Sequence, residues 1–150
     1  RNSENMARGR TMMLTAMLDR MPAAIAILDK KMNYIMVSEH WAVGHGAKSA
    51  AALKGLNHYE VQAGMITDDM CKDHKQVLAG ATLNRERDLI RDVKGEPITQ
   101  TCVMTPWYRA KGEIAGMIIM LSKVDTRHAI EPSGDMPTMD EFASLLDDVA

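Results

Sequence analysis

The side chains best suited to chemistry in this 150-residue chain are Cys71 and Cys102 and the histidines His40, His45, His58, His74 and His128. Cys71 and His74 stand three residues apart, which on a helix puts both on one face at a spacing that a metal accepts. Two ligands do not complete a zinc site, and the sequence holds neither a CxxC pair nor HExxH. The same pair lacks the orienting third group that a Cys/His nucleophile requires. A nucleophile elbow, a phosphate loop of the GxxxxGK type and a GxGxxG turn are absent too. Gly44-His45-Gly46 is the nearest approach to the last, but it follows a helical stretch, not a strand. Without a catalytic constellation, the expectation is a chain that binds or senses and is not an enzyme. His74, in mid-helix on a semi-apolar stripe, has the placement of an axial haem ligand. A lone histidine there more often serves packing, so haem is not expected.

The scaffold that must position these groups is of single-domain size. With 46% hydrophobic residues it can bury an ordinary core. A net charge of −2 gives no basic field for nucleic acid or a membrane surface. Arg85 and Arg87 alternate with Glu86 and Asp88, as on a solvated strand face. Two distant cysteines fit reduced thiols in a cytoplasmic compartment. The longest apolar run, Ile114 to Leu121, is eight residues, far short of the roughly 20 that cross a bilayer. The chain opens on Arg1 without a signal-peptide pattern, as expected of a piece of something longer. Methionine is abundant at 14 residues, five of them between Met6 and Met21. Its flexible thioether suits either an irregular core or an adaptable binding surface.

Periodicity predicts a helix over Asn5 to Met21, stopped by Pro22. Met13, Leu14, Met17 and Leu18 lie on its apolar face, which is wide enough to pack on a partner helix or on the domain itself, and they are candidate dimer contacts. Ala23 to Leu28 and Tyr34 to Val37 read as strands joined by the polar Asp29-Lys30-Lys31 turn. Ser38 is placed to cap a short helix over Glu39 to Gly44. Ala47 to Gly64 breaks into short pieces. Thr67 can cap a firmer helix that carries Asp68 and Asp69 at its positive end and stops at Gly80. Three β-rich runs follow, Thr82 to Arg91, Glu96 to Tyr108 and Glu113 to Val124, joined by turns at Asp92 to Gly95 and Arg109 to Gly112. Two strands, short helices and then a three-stranded meander lack βαβ alternation, so the expected class is α+β with an antiparallel sheet. Glu131 to Gly134 reads as a linker before a short acidic amphipathic tail.

Several of these patterns, in this order, resemble the PAS family of sensory domains. Met21-Pro22-Ala23-Ala24-Ile25-Ala26-Ile27-Leu28-Asp29 is similar to the family's opening strand, and Tyr34 through Trp41 to its second strand and helix. Leu53-Lys54-Gly55 through Glu60-Val61 resembles its L-x-G-x-x-x-x-E segment, and Val77 to Gly80 the end of its long helix. Asp92 to Glu96 and Thr105-Pro106-Trp107 through Gly116 resemble its DG turn and P-W…G-x-I-x-G hairpin. The look is that of modules in bacterial histidine kinases and diguanylate cyclases. Lys123-Val124-Asp125-Thr126-Arg127 is a rearranged version of the family's closing sequence. The flavin-binding subclass needs a reactive cysteine that Gly55 to Val61 does not contain, so flavin is not expected.

The resemblance implies a five-stranded antiparallel sheet with short helices on one face and a flanking N-terminal helix. It divides the chain into a flanking helix over 1–21, a PAS-like domain over 22–127 and a linker with tail over 128–150. It implies a sensory module that binds a small ligand or a partner and passes a conformational change to an effector or a dimer mate. Candidate pocket residues are Met70, His74 and Val77 from the helix and Cys102, Met104, Met117, Ile119 and Leu121 from the strands. Alternation puts Cys102 with Met104 on one face and Met117, Ile119 and Leu121 on one face. Which face is inward stays open, as does whether these side chains line a pocket or fill a core. Asp125, Thr126 and Arg127 are the candidate signal-coupling residues. A ligand-free dimerisation module is the alternative reading.

Overall fold

The computed structural model describes residues 2–20, 23–90 and 97–124. The elements are α1 (Asn2–Arg20), β1 (Ala24–Asp29), β2 (Tyr34–Val37), α2 (Glu39–Gly44), α3 (Ala50–Leu53), α4 (His58–Val61), α5 (Asp68–Leu78), β3 (Leu83–Ile90), β4 (Pro97–Tyr108) and β5 (Ile114–Val124). The strands form one antiparallel sheet in the order β2-β1-β5-β4-β3. Helices α2 to α5 contribute to the core on one face, and α1 covers the other.

That arrangement explains why the sequence of β1 is a continuous apolar run and does not alternate. A central strand covered on both sides buries every residue. Ala26 and Leu28 join the core under the short helices, while Ile25 and Ile27 join the core under α1. On the α1 side, Leu14 and Leu18 are completely buried among Ile25, Ile27, Trp107 and Ile118.

The turn between β1 and β2 is built by Asp29. Its Oδ1 accepts from the backbone N–H groups of Lys31 and Asn33, both at 2.9 Å. This holds Met32 in the left-handed region, at φ 67°, with its side chain buried. The turn from β4 to β5 closes through Arg109 N–H to the Glu113 carbonyl at 2.8 Å, and Gly112 supplies the positive φ of 79° that it needs.

Trp107 and Gly116 explain each other. They are register partners in β4 and β5. The Trp107 indole N–H donates to the Leu28 carbonyl at 2.9 Å, and a Cβ on Gly116 would stand 1.8 Å from that oxygen and 2.8 Å from the indole nitrogen. Only a glycine leaves room for the indole to reach β1.

The sequence places β2 and α2 at their observed bounds, and the caps at Ser38 and Thr67 form as expected. Helix α1 begins earlier than Asn5. Two single-turn helices, α3 and α4, lie in the stretch that showed only short pieces. Each is nucleated by a local cap, Ser49 and Asn57, and carries too few residues to show a 3.6-residue period. The Met21–Pro22 boundary, the Asp92 to Gly95 turn, the linker and the acidic tail lie outside the described residues.

Candidate functional site

Six rings meet between the sheet and the short helices, brought there by one strand and three helix caps. Strand β2 supplies Tyr34. Ser38 caps α2 by accepting from Trp41 N–H at 3.2 Å, which sets Trp41 and, just past the helix, His45. Ser38 also ties this helix to β1, because its hydroxyl accepts from Ile25 N–H at 2.9 Å and donates to the Ala23 carbonyl at 3.2 Å. Asn57 caps α4 by accepting from Tyr59 N–H at 3.0 Å and anchors it to the β1–β2 turn by donating to the Lys31 carbonyl at 2.9 Å. This sets His58 and Tyr59. Thr67 caps α5, which carries His74.

The rings are in mutual contact. Trp41 stacks on His45 with centroids 4.2 Å apart and planes 14° from parallel. Tyr34 meets Trp41 and His58 edge-on at 6.0 and 5.5 Å. His58 lies 5.9 Å from His74 and 6.5 Å from His45. Hydrogen bonds couple them in pairs: the Tyr34 hydroxyl with His58 Nδ1, and the Tyr59 hydroxyl with His74 Nδ1 at 2.9 Å. His45 Nδ1–H donates to the Trp41 carbonyl at 2.8 Å.

Burial disfavours the charged forms of His58, Tyr34 and Tyr59. His58 is pushed down to about 3 by desolvation, with smaller contributions from His74 and His45. Desolvation raises Tyr34 to about 12, slightly offset by the nearby Trp41 indole. Tyr59 is raised by burial and then by Cys71. At neutral pH His58 is a neutral imidazole and the phenols of Tyr34 and Tyr59 keep their protons.

Trp41 is 1% exposed, and its Nε1 is the only buried side-chain nitrogen or oxygen without a hydrogen-bond partner among the described residues. The indole acts on the Tyr34 hydroxyl as a side-chain hydrogen-bonding neighbour that partly offsets its rise. The pair falls outside hydrogen-bond geometry, and that hydroxyl is engaged with His58.

Beside the rings, Asp73 on α5 is clamped by Arg85 on β3, with Nε to Oδ2 at 3.2 Å and Nη2 to Oδ1 at 3.1 Å. Asp73 holds the Arg85 guanidinium above its usual range. Arg85 stays exposed, as its charge pattern suggested, while its guanidinium is paired with Asp73. The clamp fixes α5 against the edge of the sheet.

Of the expected pocket residues, Val77, Cys102, Met104, Met117 and Ile119 belong to the core on the helix side, and Leu121 packs against it partly buried. These side chains face the short helices, and α1 covers the opposite face of the sheet. Register puts Cys102 opposite Leu121 and Met104 opposite Ile119. His74 is buried within the ring cluster, and Met70 is half-buried. Cys71 and His74 remain two residues of a helix, and among the described residues no group of three or more His, Cys, Asp or Glu is placed to hold a metal ion.

The expected dimer contacts need correction. Leu14 and Leu18 are completely buried against their own sheet, so they have no surface to offer a partner. Met17 packs partly buried beside them, and Met13 remains 47% exposed. Helical periodicity finds an apolar face but not what covers it. Asp125, Thr126 and Arg127 lie outside the described residues.

Tyr34, Trp41, His45, His58 and Tyr59 were absent from the sequence-derived pocket. Their spacing shows no motif, since they come from three separate elements. The available signal was the high share of the chain's few aromatic rings between residues 34 and 59, next to potential cap residues.

The family model of the PAS fold matches residues 18–129. The chain belongs to the PAS family. Among solved structures, that of VqmA bound to DPO is 16% identical, with a TM-score of 0.61 over 75% of this chain and 57% of that one. The PAS domain of BvgS from Bordetella pertussis is 17% identical, with a TM-score of 0.57 over 78% and 88%. A LOV protein from Rhodobacter sphaeroides is 14% identical, with a TM-score of 0.57 over 85% and 71%. The chain spans little more than half the length of the VqmA chain it matches. At these identities the likeness is one of fold. No curated protein sequence matches the chain. No described helix is long and apolar enough to cross a membrane, which leaves β-barrel crossing unaddressed.

Proposed function

We propose that this PAS domain is a sensory module that binds a small molecule among the rings on the helix side of its sheet. The observation that carries the reading is the convergence of Tyr34, Trp41, His45, His58, Tyr59 and His74 from β2, α2 and the residue after it, α4 and α5. A guest there touches four structural pieces at once. It shifts the balance between two arrangements of helices and sheet by as much as it prefers one of them. The shift would reach an effector, of kinase or cyclase type, or a homodimer mate, in a cytoplasmic setting and without catalysis by this domain. VqmA, of the same fold, has been solved with DPO bound, which supports a ligand-binding role for such a sheet. Native mass spectrometry of the gently purified chain tests the reading. A bound mass that is lost on denaturation and reduced in His74→Ala is the expected result.

A second reading, dimerisation without a ligand, is favoured by α1. Met12 is 72% exposed and Met13 47% exposed on its outer side. A dimer by light scattering that Met12→Asp with Met13→Asp dissolves, together with no bound mass, would select this reading.

A further inference from the structure

We propose that the ring cluster takes a small, uncharged, planar molecule bearing a hydrogen-bond acceptor, and that the Trp41 N–H is the donor that reads this acceptor. The inference rests on the ligand-binding reading and narrows it to a chemical class.

Three observations carry it. The first is the Trp41 Nε1–H itself, buried and without an acceptor. An indole nitrogen can only donate, and a buried donor left unpaired costs roughly 1–3 kcal/mol. The neighbouring handles already serve each other, Tyr34 with His58 and Tyr59 with His74. A guest that brings an acceptor recovers the lost bond, and one without an acceptor does not.

The second is the shape and surface of the surroundings. The rings pack directly on one another at centroid separations of 4.2 to 6.5 Å, so a planar guest of about one ring enters by replacing one of these ring contacts. Trp41 and Tyr34 share their core with Cys102, Met104, Met117 and Ile119, an apolar floor of polarisable sulfur and aliphatic groups.

The third is charge. His58 is neutral down to about pH 3, and Tyr34 keeps its proton up to about pH 12. The carboxylate of Asp73, next to His74 in sequence, is already matched by Arg85. A charged guest would lose its hydration and gain no counter-charge from these groups.

The Trp41 nitrogen is sealed from solvent, so a guest reaches it only when a neighbouring ring moves. That requirement couples occupancy to the positions of the short helices that carry the rings.

The test uses the whole chain and three single-ring probes: benzamide (neutral, with an acceptor), benzoate (charged) and toluene (no acceptor). The two tryptophans give separate indole N–H signals in 1H–15N spectra, and Trp107, bonded to the Leu28 carbonyl, is the internal reference. Benzamide is expected to shift the Trp41 indole signal and leave that of Trp107 in place. It should bind at least about tenfold more tightly than benzoate or toluene, a difference of about 1.4 kcal/mol. Trp41→Phe should erase its preference over toluene. If that variant does not fold, the wild-type ratio of benzamide to toluene carries the test. Equal binding of toluene and benzamide at the rings, with Trp41 unmoved, overturns the inference and leaves the ligand-binding reading standing. If none of the three probes perturbs any of the six rings, the inference falls, and the bound mass in native mass spectrometry decides the ligand-binding reading on its own. A Trp41 indole signal that moves in Tyr34→Phe but never with benzamide assigns its acceptor to Tyr34 and also overturns the inference.

Discussion

The two tryptophans mark the two faces of the sheet. Trp107, on the α1 side, is tied off: its N–H meets the Leu28 carbonyl, and around it lie Leu14, Leu18, Ile25, Ile27 and Ile118. Trp41, on the other side, is buried just as deeply but has no acceptor, and it is surrounded by imidazoles and phenols. One face is finished structure, with its apolar groups buried and its indole satisfied. The other keeps polar rings inside a core, an arrangement that costs stability unless it serves a purpose.

The comparison can be broken most severely at Gly116. Gly116→Ala drives a methyl group against the Leu28 carbonyl and displaces the Trp107 indole. Overpacking of this kind and loss of a buried bond together should cost about 4 kcal/mol or prevent folding, read as the midpoint of urea unfolding. Leu18→Ala should cost about 3 kcal/mol by leaving a cavity under α1, while the indole resonance of Trp41 keeps its position. A shift of that resonance comparable to the shift at Trp107 would show that the faces are not independent.

On the ring side, Ser38→Ala removes the cap of α2 and its bonds to β1, for about 2 kcal/mol. Here the Trp41 resonance should move and that of Trp107 should stay, the reverse of the Leu18 variant. The pH dependence of His58 is spread over several pH units. Its folded pKa, about 3, lies below the ordinary 6.5, so the unfolded chain binds the proton more readily between those values. Stability should be fully present above about pH 6.5 and fall by up to about 1.4 kcal/mol per pH unit on acidification toward 3. Thermal melts of His58→Phe against the parent should show a shallower acid slope; equal slopes would remove His58 as the cause.

Much of the fold is legible in the sequence. The β-rich runs after Thr82, the Arg109 to Gly112 turn, and the caps at Ser38 and Thr67 follow from local chemistry, and each forms where the residues place it. The P-W…G-x-I-x-G pattern holds the Trp107–Gly116 pair, although the reason for the glycine lies in Leu28 of β1. The candidate site is legible only in part. Helical and strand periodicity finds His74 and the strand residues. It misses the other five rings because they come from short segments with no repeating pattern.

The sequence by itself determined the elements other than α3 and α4, their order and the family, because turns, caps and alternation act over a few residues. Tertiary structure alone decided that Cys102, Met104, Met117 and Ile119 face the short helices and that Leu14 and Leu18 are covered by their own domain. It also decided that His58 meets His74 and that Trp41 is left with an unanswered donor. These outcomes depend on contacts between residues distant in the chain, and local propensity carries no information about what a side chain will meet across the core.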